Sequence, residues 1–347
     1  MSTPKPHRSY LDLVNECDSY GCTPFAHNEQ QTTDNPVFRF PYIQDDPADY
    51  KAYVSNFHEF KINGYSQILG YMPDEIVEKF SWPEPTWKVV KGAEGQSGTI
   101  TLMSPENVSP EERTTLINNT LQEARDTFEV LKGKGWRNEM YPIYVPGTNK
   151  LLASIERSAA CLFGIPTWGI HMTAYVENAD GTYMVWVPRR SMTKSTFKGM
   201  LDNSVAGGMA TGERPFECML REAEEEASLN EEVARNAISA GVLRYIYERD
   251  ERAGGETGLL QPECEYIYDL KLPPDVILKP KDGEMERFTL MSVDDVIIEL
   301  KQGNFKPNCA VVIIDFLIRH GILKPEDDNH YEEICSRLRR RIEYANI

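Results

Sequence analysis

The chain has 347 residues, of which 41% are hydrophobic and 10% aromatic, and its formal net charge at pH 7 is −17. The length allows two domains, and the composition is ample for packed cores. An acidic balance of this size argues against a nucleic-acid backbone or an anionic membrane surface as the main partner. A small polyphosphate stays possible, because cations bound in a site invert the local field.

The cysteine pattern and the first residues bear on the cellular compartment. None of the seven cysteines forms a CxxC pair, so neither a disulfide framework nor a zinc site is predicted. Residues 1–10 are polar and lack a signal-peptide core, and no segment is apolar enough to span a bilayer. We predict a cytoplasmic protein with mostly buried thiols. Its oligomeric state is left open.

The first predicted unit, residues 1–142, has the pattern of a smaller α+β domain. Residues 10–17 show helical spacing of apolar side chains, and residues 60–72 alternate as strands do. A short β-branched strand is predicted at 99–103. Ser109 and the proline and acids after it predict a helix start, and the helix extends to about residue 132.

The second predicted unit, residues 143–326, alternates strands and helices, and residues 327–347 form a charged C-terminal helix. Its arginines at 337, 339, 340 and 341 are interpreted as a solvent-exposed face. The predicted strands are 170–177, 182–188, 241–248, 265–272 and 288–291, and the predicted helices are 293–301 and 308–320.

The strongest functional signal is the stretch 207–229, GGMATGERPFECMLREAEEEASL, a glycine-rich loop that leads into an acidic helix. Glu222, Glu225 and Glu226 are spaced by three and four residues, so they project from one helix face. Carboxylates crowded in this way repel one another. A divalent cation removes that repulsion and supplies a Lewis acid, so the sequence predicts a metal site here.

This stretch resembles the Nudix box. The alternative, an ordinary solvated acidic helix, is disfavoured because the match includes the leading glycine and the single arginine. Ala223 and Ser228 depart from the pattern, where a larger apolar residue and a glycine are usual. The matching residues are Gly207, Glu213, Arg221, Glu222, Glu225, Glu226 and Leu229. The resemblance implies a Nudix α/β/α sandwich with a mixed sheet, preceded by the smaller N-terminal α+β domain.

The resemblance also implies roles for these residues. The metal ligands would be Glu222 and Glu226, with Glu225 bridging or holding a second ion and the Gly207 carbonyl completing the site. Mg²⁺ is the expected ion, because hard carboxylate oxygens suit it, and Mn²⁺ is a possible substitute. Arg221 would orient the carboxylates, and Glu213 would be structural.

A general base must take a proton from water, and a metal-site carboxylate can do so. The catalytic candidates are therefore Glu222, Glu225 and Glu226, together with Glu284 from a later loop. Glu284 and its neighbour Glu286 are equally well explained as ordinary loop acids.

Substrate contacts are predicted from charge and aromaticity. Arg190 and Lys194, before the box, are candidates for holding phosphate oxygens, or else are solubilising charges at a strand end. Trp136 and Tyr175 are candidates for stacking on a substrate ring. Trp168 and His171 are further candidates, and any of the four is alternatively a core side chain.

Segments outside the box narrow the resemblance. Among them are GWRNEMYPIY at 135–144, ERSAACLFGIPTWGIHMTAYV at 156–176 and GNFKPNCAVVIIDFLIRHG at 303–321. Together they resemble a fungal and plant Nudix subgroup described as thiamine-pyrophosphokinase-related. The kinase itself has no counterpart in this sequence.

The subgroup implies hydrolysis of thiamine diphosphate, and especially of oxy- and oxo-thiamine diphosphate, to the monophosphate and phosphate. One alternative is hydrolysis of ADP-ribose or another nucleoside diphosphate compound. Another is a non-catalytic module that binds thiamine phosphates. An isopentenyl diphosphate isomerase is disfavoured, because the acid–cysteine pairing of that enzyme is not seen.

Overall fold

The computed structural model describes residues 7–20, 55–105 and 107–345. Their strands form a four-stranded, a six-stranded and a two-stranded sheet, with helices packed around them. The predicted α/β class is confirmed. No helix in these three stretches has the length and apolar character needed to cross a membrane.

The N-terminal unit, defined here as residues 55–165, is built on the four-stranded sheet, whose order is β2-β1-β4-β3. Its elements are β1 (Phe57–Ile62), β2 (Gly70–Pro73), α2 (Asp74–Val77), β3 (Trp87–Val90), β4 (Gly98–Leu102), α3 (Pro110–Glu123), β5 (Met140–Tyr144), β6 (Leu151–Glu156) and α4 (Ala160–Phe163). Ser109 and Glu112 form a capping box at the start of α3, as the sequence predicts. The helix ends at Glu123, short of the predicted residue 132, and the turns that follow bury Phe128 and Leu131 in the core.

The predicted boundary at residue 142 falls inside a hairpin. Strands β5 and β6 pair from Met140 with Glu156 to Tyr144 with Leu151. The first hydrophobic core continues through β6 and α4 to Ile165. We therefore correct the boundary to follow Ile165, because cutting at 142 would expose both the hairpin and its core face.

The second unit is a mixed six-stranded sheet in the order β10-β11-β7-β8-β12, with β9 paired to β7. Strands β11 and β7 are parallel, and the other pairs are antiparallel. Its elements are β7 (Thr167–Glu177), β8 (Tyr183–Arg190), β9 (Val205–Gly208), α5 (Pro215–Ala227), α6 (Glu231–Ala234), β10 (Ile238–Glu248), β11 (Leu260–Lys271), β12 (Met285–Ser292), α7 (Val293–Lys301), α8 (Pro307–Arg319) and α9 (Tyr331–Arg337).

Two hydrophobic cores lie on opposite faces of this sheet. On one face, Ile170 and Met172 of β7 belong to the same core as Met219 and Ala223 of α5. On the other face, Ile267 of β11 belongs to the core of α8. Because side chains alternate along a strand, the result is a helix–sheet–helix sandwich.

The first helix, α1 (Tyr10–Cys17), packs on the second unit, although the sequence assigned it to the first. Its apolar side chains join the core of α8. This correction shows that chain order does not set domain membership here. The segment 21–54 that follows α1 lies outside the described residues.

Three of the four C-terminal arginines form ion pairs, which corrects the prediction of a simple solvent-exposed face, and Arg339 and Arg341 are exposed as that prediction expects. Arg337 and the buried Arg340 both donate to the carboxylate of Asp18, directly after α1. Arg339 donates to the buried Asp315 of α8 at 2.6 Å. The helix α9 is shorter than predicted, and these bonds fasten it to α1 and α8. The ring of Tyr344 then packs against Tyr71 of the N-terminal unit, with 5.1 Å between centroids.

Candidate active site

The glycine loop brings three parts of the chain together. Gly207 pairs with Ile170 of β7 in the sheet. A Cβ on Gly207 would lie 2.1 Å from the Glu222 carboxyl carbon, and one on Gly208 would lie 1.6 Å from the Tyr141 hydroxyl oxygen. A side chain at either position would force Glu222 or Tyr141 to move. The two glycines therefore let the acidic helix and the N-terminal unit approach the loop from different directions.

Helix α5 begins at Pro215 and ends at Ser228, whose φ of 52° is left-handed. The next amide, of Leu229, donates to the Ala223 carbonyl at 3.0 Å. Ser228 thus takes the conformation that glycine usually supplies at a helix end. Ala223 is fully buried, so the small residue at this position lets α5 lie close to the sheet.

The three box carboxylates occupy different environments. Glu226 is 3% exposed, and its Oε2 accepts a hydrogen bond from the Ala206 amide at 3.0 Å. Glu222 is partly buried and accepts from Arg221 Nη1 at 2.8 Å. Glu225 has a half-exposed side chain and also bonds Arg221, at 3.1 Å. Glu226 is therefore the most desolvated of the three.

Arg221 lies between the loop and the helix. Besides its bonds to Glu222 and Glu225, it donates to both carboxylate oxygens of Glu213, at 2.8 and 3.1 Å. A guanidinium fork that holds three carboxylates fixes their orientation. This placement fits the role that the sequence analysis gave to Arg221 and the structural role that it gave to Glu213.

A second acidic loop meets Glu226. Carboxylate oxygens of Glu226, Asp282 and Glu284 all lie within 4.8 Å of one another. The Ser191 amide donates to the Glu284 carbonyl at 2.9 Å and ties this loop to the end of β8. Glu284 was predicted to enter the site, whereas Asp282 was missed. The DGE triplet at 282–284 offered the signal, since both of its acids reach the cluster.

Lys194 joins this carboxylate cluster. Its ammonium contacts Glu284 Oε2, so the lysine lies close to the site. Burial, with the neighbouring charge of Arg190, lowers the pKa of Lys194 to about 8. The predicted phosphate ligand therefore carries a charge that titrates near neutral pH.

The donor set fits a divalent cation. Burial raises the pKa of Glu226 to about 8, and the charges of Glu222 and Asp202 add to this effect. Burial also raises the pKa of Glu222, against the opposing charges of Arg221 and Arg157. Crowded, desolvated carboxylates of this kind are stabilised when a hard cation binds between them. Glu226 and Asp282 would hold it, with Glu284 next to them and Glu222 one turn away on α5.

Glu265 is a further acid that the sequence analysis did not single out. It is buried on β11, and its Oε2 has no hydrogen-bond partner. A Cβ on Gly169 would lie 2.3 Å from that oxygen and 3.0 Å from the Gly207 carbonyl oxygen. Gly169 thus leaves the space into which both oxygens point. No spacing along the chain connects Glu265 to the box, because only the pairing of β11 with β7 brings them together.

Arg190 does not face the carboxylate cluster with free donors. It is 5% exposed and donates to Asp202 Oδ2 at 2.5 Å. Its other nitrogens donate to the carbonyls of Phe197 and Thr196, at 3.2 and 3.0 Å. The predicted phosphate ligand instead fastens the loop between β8 and β9, which a buried arginine does well.

Three of the four stacking candidates are engaged elsewhere, whereas Trp168 is half-buried beside the box loop. Trp136 lies in the N-terminal core, with Arg125 over its ring at 5.0 Å. Tyr175 packs edge-on against Phe316 of α8, with 5.4 Å between centroids, near the far end of β7. The buried His171 bonds Asn203 at 2.7 Å. These side chains match the structural alternative that the sequence analysis left open.

A cavity of about 340 Å³ lies between the two units, beside the box. The N-terminal unit lines it with Arg137, Tyr141 and Arg157. The opposite wall comes from the second unit and carries Phe197, Tyr245, Tyr247, Gln261, Glu263 and Lys306. The cavity opens toward the box through Tyr141, which touches Gly208, and Arg157, whose charge acts on Glu222. We call the part of the cavity lined by Tyr141 and Arg157, next to the box, the carboxylate end. The part around Glu263 is called the ring end.

Comparisons with known families agree with the fold and the box. Residues 168–310 match the family model of the NUDIX domain, and residues 48–167 match that of DUF4743, a domain of unknown function. The chain therefore contains a Nudix domain, preceded by a DUF4743 domain. The boundary between the two matched ranges, at residues 167 and 168, lies just after Ile165, where the hydrophobic core of the N-terminal unit ends.

Related proteins are found in yeast and plants. The uncharacterized protein YJR142W of Saccharomyces cerevisiae is 41% identical over 220 residues, which are 62% of this chain and 64% of that protein. Nudix hydrolase 20, chloroplastic, of Arabidopsis thaliana is 38% identical over 237 residues, which are 67% of this chain and 59% of that protein. The chain thus spans about 60% of the length of these relatives. The crystal structure of DR0079 from Deinococcus radiodurans aligns over 51% of this chain and 99% of its own, with 18% identity and a TM-score of 0.38.

Proposed function

We propose that this protein hydrolyses the diphosphate of thiamine diphosphate, and especially of its oxy- and oxo-thiamine analogues, to the monophosphate and phosphate. The carrying observations are the carboxylate group of Glu226, Asp282 and Glu284, and a nearby cavity. That cavity is lined by Tyr141 and Arg157 beside the Nudix box and by Glu263 and aromatic side chains at its ring end. A diphosphate at one end and the cationic thiazolium of thiamine or its oxy analogue at the other would match the two ends in charge.

At the carboxylate end, Glu222, Glu226 and Asp282 are proposed to hold Mg²⁺, with Mn²⁺ as a substitute. When bound, the ion supplies charge stabilisation for the phosphoryl oxygens and favours formation of hydroxide from water. The predicted ligand Glu225 has a smaller part here, because it is half-exposed and paired with Arg221. The Gly207 carbonyl stays a proposed ligand.

Glu284 is the proposed general base. Its carboxylate takes one proton from the attacking water while the water oxygen bonds to phosphorus and the P–O–P bridge breaks. The contact with Lys194 favours the ionised form of Glu284 that this step needs. Glu226, with its raised pKa, is better suited to charge balance than to taking up the proton.

The ring end supports thiamine compounds over ADP-ribose. The carboxylate of Glu263 accepts from the Tyr245 hydroxyl at 2.5 Å and from Gln261 at 2.7 Å. Burial and the neighbouring Glu265 raise the pKa of Glu263, with Lys306 opposing them. A positively charged thiazolium, or a ring that donates hydrogen bonds, would stabilise this carboxylate, whereas a neutral adenine supplies no charge.

The cytoplasm is the proposed location, because the cysteines among the described residues are free thiols.

A substrate panel tests the proposal. Product release is measured as phosphate from thiamine diphosphate and oxythiamine diphosphate, and as AMP from ADP-ribose, each with and without Mg²⁺. We expect Mg²⁺-dependent release from the thiamine compounds, fastest from the oxy analogue. Release from ADP-ribose alone would replace the substrate assignment. No release from any compound, together with saturable binding of thiamine monophosphate, would favour the non-catalytic module.

A further inference from the structure

The N-terminal unit is attached directly to the Nudix box. The Thr211 amide, within the box loop, donates to the Met140 carbonyl of β5 at 2.8 Å. The Thr211 hydroxyl also bonds the hydroxyl of Ser154 on β6 at 2.8 Å. With Tyr141 packed on Gly208, the hairpin of β5 and β6 is fixed against the loop that precedes the acidic helix.

A second attachment lies across the cavity. The Glu256 carboxylate accepts from the amides of Glu129 and Val130, at 2.6 and 3.0 Å. Leu259, a few residues later, is fully buried in the core of the N-terminal unit. A loop of the Nudix domain therefore grips the unit on this side as well. Because it is held on both sides, the unit is a fixed wall of the cavity.

The hairpin carries a cation to the carboxylate end. Arg157 directly follows β6, and its guanidinium lies 5.4 Å from the Tyr141 ring centroid. Its Nη1 donates to Glu139 at 2.8 Å, and 43% of its side chain is exposed. It lines the cavity, and its charge acts on Glu222 of the box. The guanidinium is thus positioned by an aromatic face and one carboxylate, and its exposed part can meet a ligand.

Arg137 places a second positive charge near Arg157. It lies on the same wall, and its Nη2 donates to the Ser195 hydroxyl at 2.7 Å. Arg190, by contrast, is buried and bonded internally. An exposed guanidinium next to the box thus comes from outside the NUDIX match, at residue 157.

We propose that the DUF4743 domain completes the active site and that Arg157, assisted by Arg137, binds the diphosphate of the substrate. This deepens the proposed function, and it rests only on the substrate being a diphosphate. Two guanidinium groups opposite a metal-holding carboxylate cluster would clamp the anion from the side that the metal does not reach. The DUF4743 domain would then set the affinity for a diphosphate group. The ring end would set which diphosphate compound is selected.

Binding of methylene diphosphonate, whose P–C–P bridge resists hydrolysis, tests the inference without reference to the ring. Calorimetry in Mg²⁺ compares the full chain with Arg157→Ala, Arg157→Lys and Arg137→Ala. Loss of a charge-assisted hydrogen bond should weaken binding roughly 10- to 100-fold in Arg157→Ala, and less in the other two. The control is Arg235→Ala, which also removes an arginine paired with a glutamate but lies outside the cavity, and its affinity should be unchanged. Thermal unfolding confirms that each variant is folded.

The outcomes separate this inference from the proposed function. Equal affinity in Arg157→Ala and the unaltered chain, or no binding by the unaltered chain, would overturn the inference. Weaker binding by Arg157→Ala without any turnover of thiamine compounds would support it and sink the substrate assignment. Where turnover is found, Arg157→Ala should raise KM more than it lowers kcat.

Discussion

The two ends of the cavity are assembled in different ways. At the carboxylate end, Glu222 and Glu226 come from one turn of α5, and Glu284 is added by a short loop. At the ring end, Tyr245 and Glu263 come from paired strands, and the facing wall belongs to another domain. The comparison teaches that the reaction is encoded locally, whereas the choice of substrate depends on long-range assembly. Substitutions at the two ends should therefore have different signatures.

The largest effect is expected from Glu226→Gln. Loss of the buried carboxylate removes a proposed metal ligand, and turnover should fall on the order of a thousandfold. The rate of phosphate release at saturating Mg²⁺ measures it. The matched control is Glu225→Gln on the same helix, which is half-exposed and should lose about tenfold or less. Equal losses in both variants would show that burial does not distinguish the ligands.

The substitution Glu263→Gln tests the ring end of the cavity. Without the charge at the ring end, KM for thiamine compounds should rise by roughly 10-fold, because a hydrogen bond to a charged group is lost. Binding of methylene diphosphonate should not change. Glu232→Gln, at an exposed position, serves as the control for both assays. A change in diphosphonate affinity in Glu263→Gln would show that the two ends are not separable.

The pH dependence of stability isolates the carboxylate end. The pKa of Glu226 rises from 4.5 to about 8 on folding, so the folded state binds a proton that the unfolded state releases. The stabilisation is complete below pH 4.5 and is lost as the pH rises toward 8. In a chelator, the melting temperature should fall by a few degrees over this window, and Mg²⁺ should restore it most at the alkaline end. Glu226→Gln should abolish this slope, and an unchanged slope would assign it to other groups.

The smallest effect concerns the end of α5. Ser228 has a φ of 52°, so Ser228→Gly should stabilise the protein by about 0.5–1 kcal/mol through relief of the left-handed strain. Ser336→Gly, within the right-handed helix α9, should destabilise it by a similar amount. Thermal unfolding with Mg²⁺ present compares the two. Destabilisation by Ser228→Gly would mean that the serine makes a compensating contact.

The sequence by itself determined the parts whose interactions are close along the chain. The box spacing placed Glu222 and Glu226 on one helix face, and apolar periodicity predicted α1, α7 and α8 nearly to their observed bounds. Periodicity succeeds here because helix contacts connect residues three and four apart. The early end of α3 is an exception, and it arose because burying Phe128 and Leu131 outweighed the local preference for helix.

Only the tertiary structure decided which charges and rings face the cavity. Arg190 and Arg157 look alike in sequence, yet Asp202 draws the first inward and Tyr141 holds the second at the cavity wall. Glu265 is close to the box loop only because β11 pairs with β7 in parallel. Helix α1 belongs to the second unit and not to the predicted first one, because its apolar face is buried against α8. In each case a contact between segments distant in sequence sets how deeply the side chain is buried. The burial of a charged side chain decides whether it can bind a ligand, and local sequence patterns do not reveal such long-range contacts.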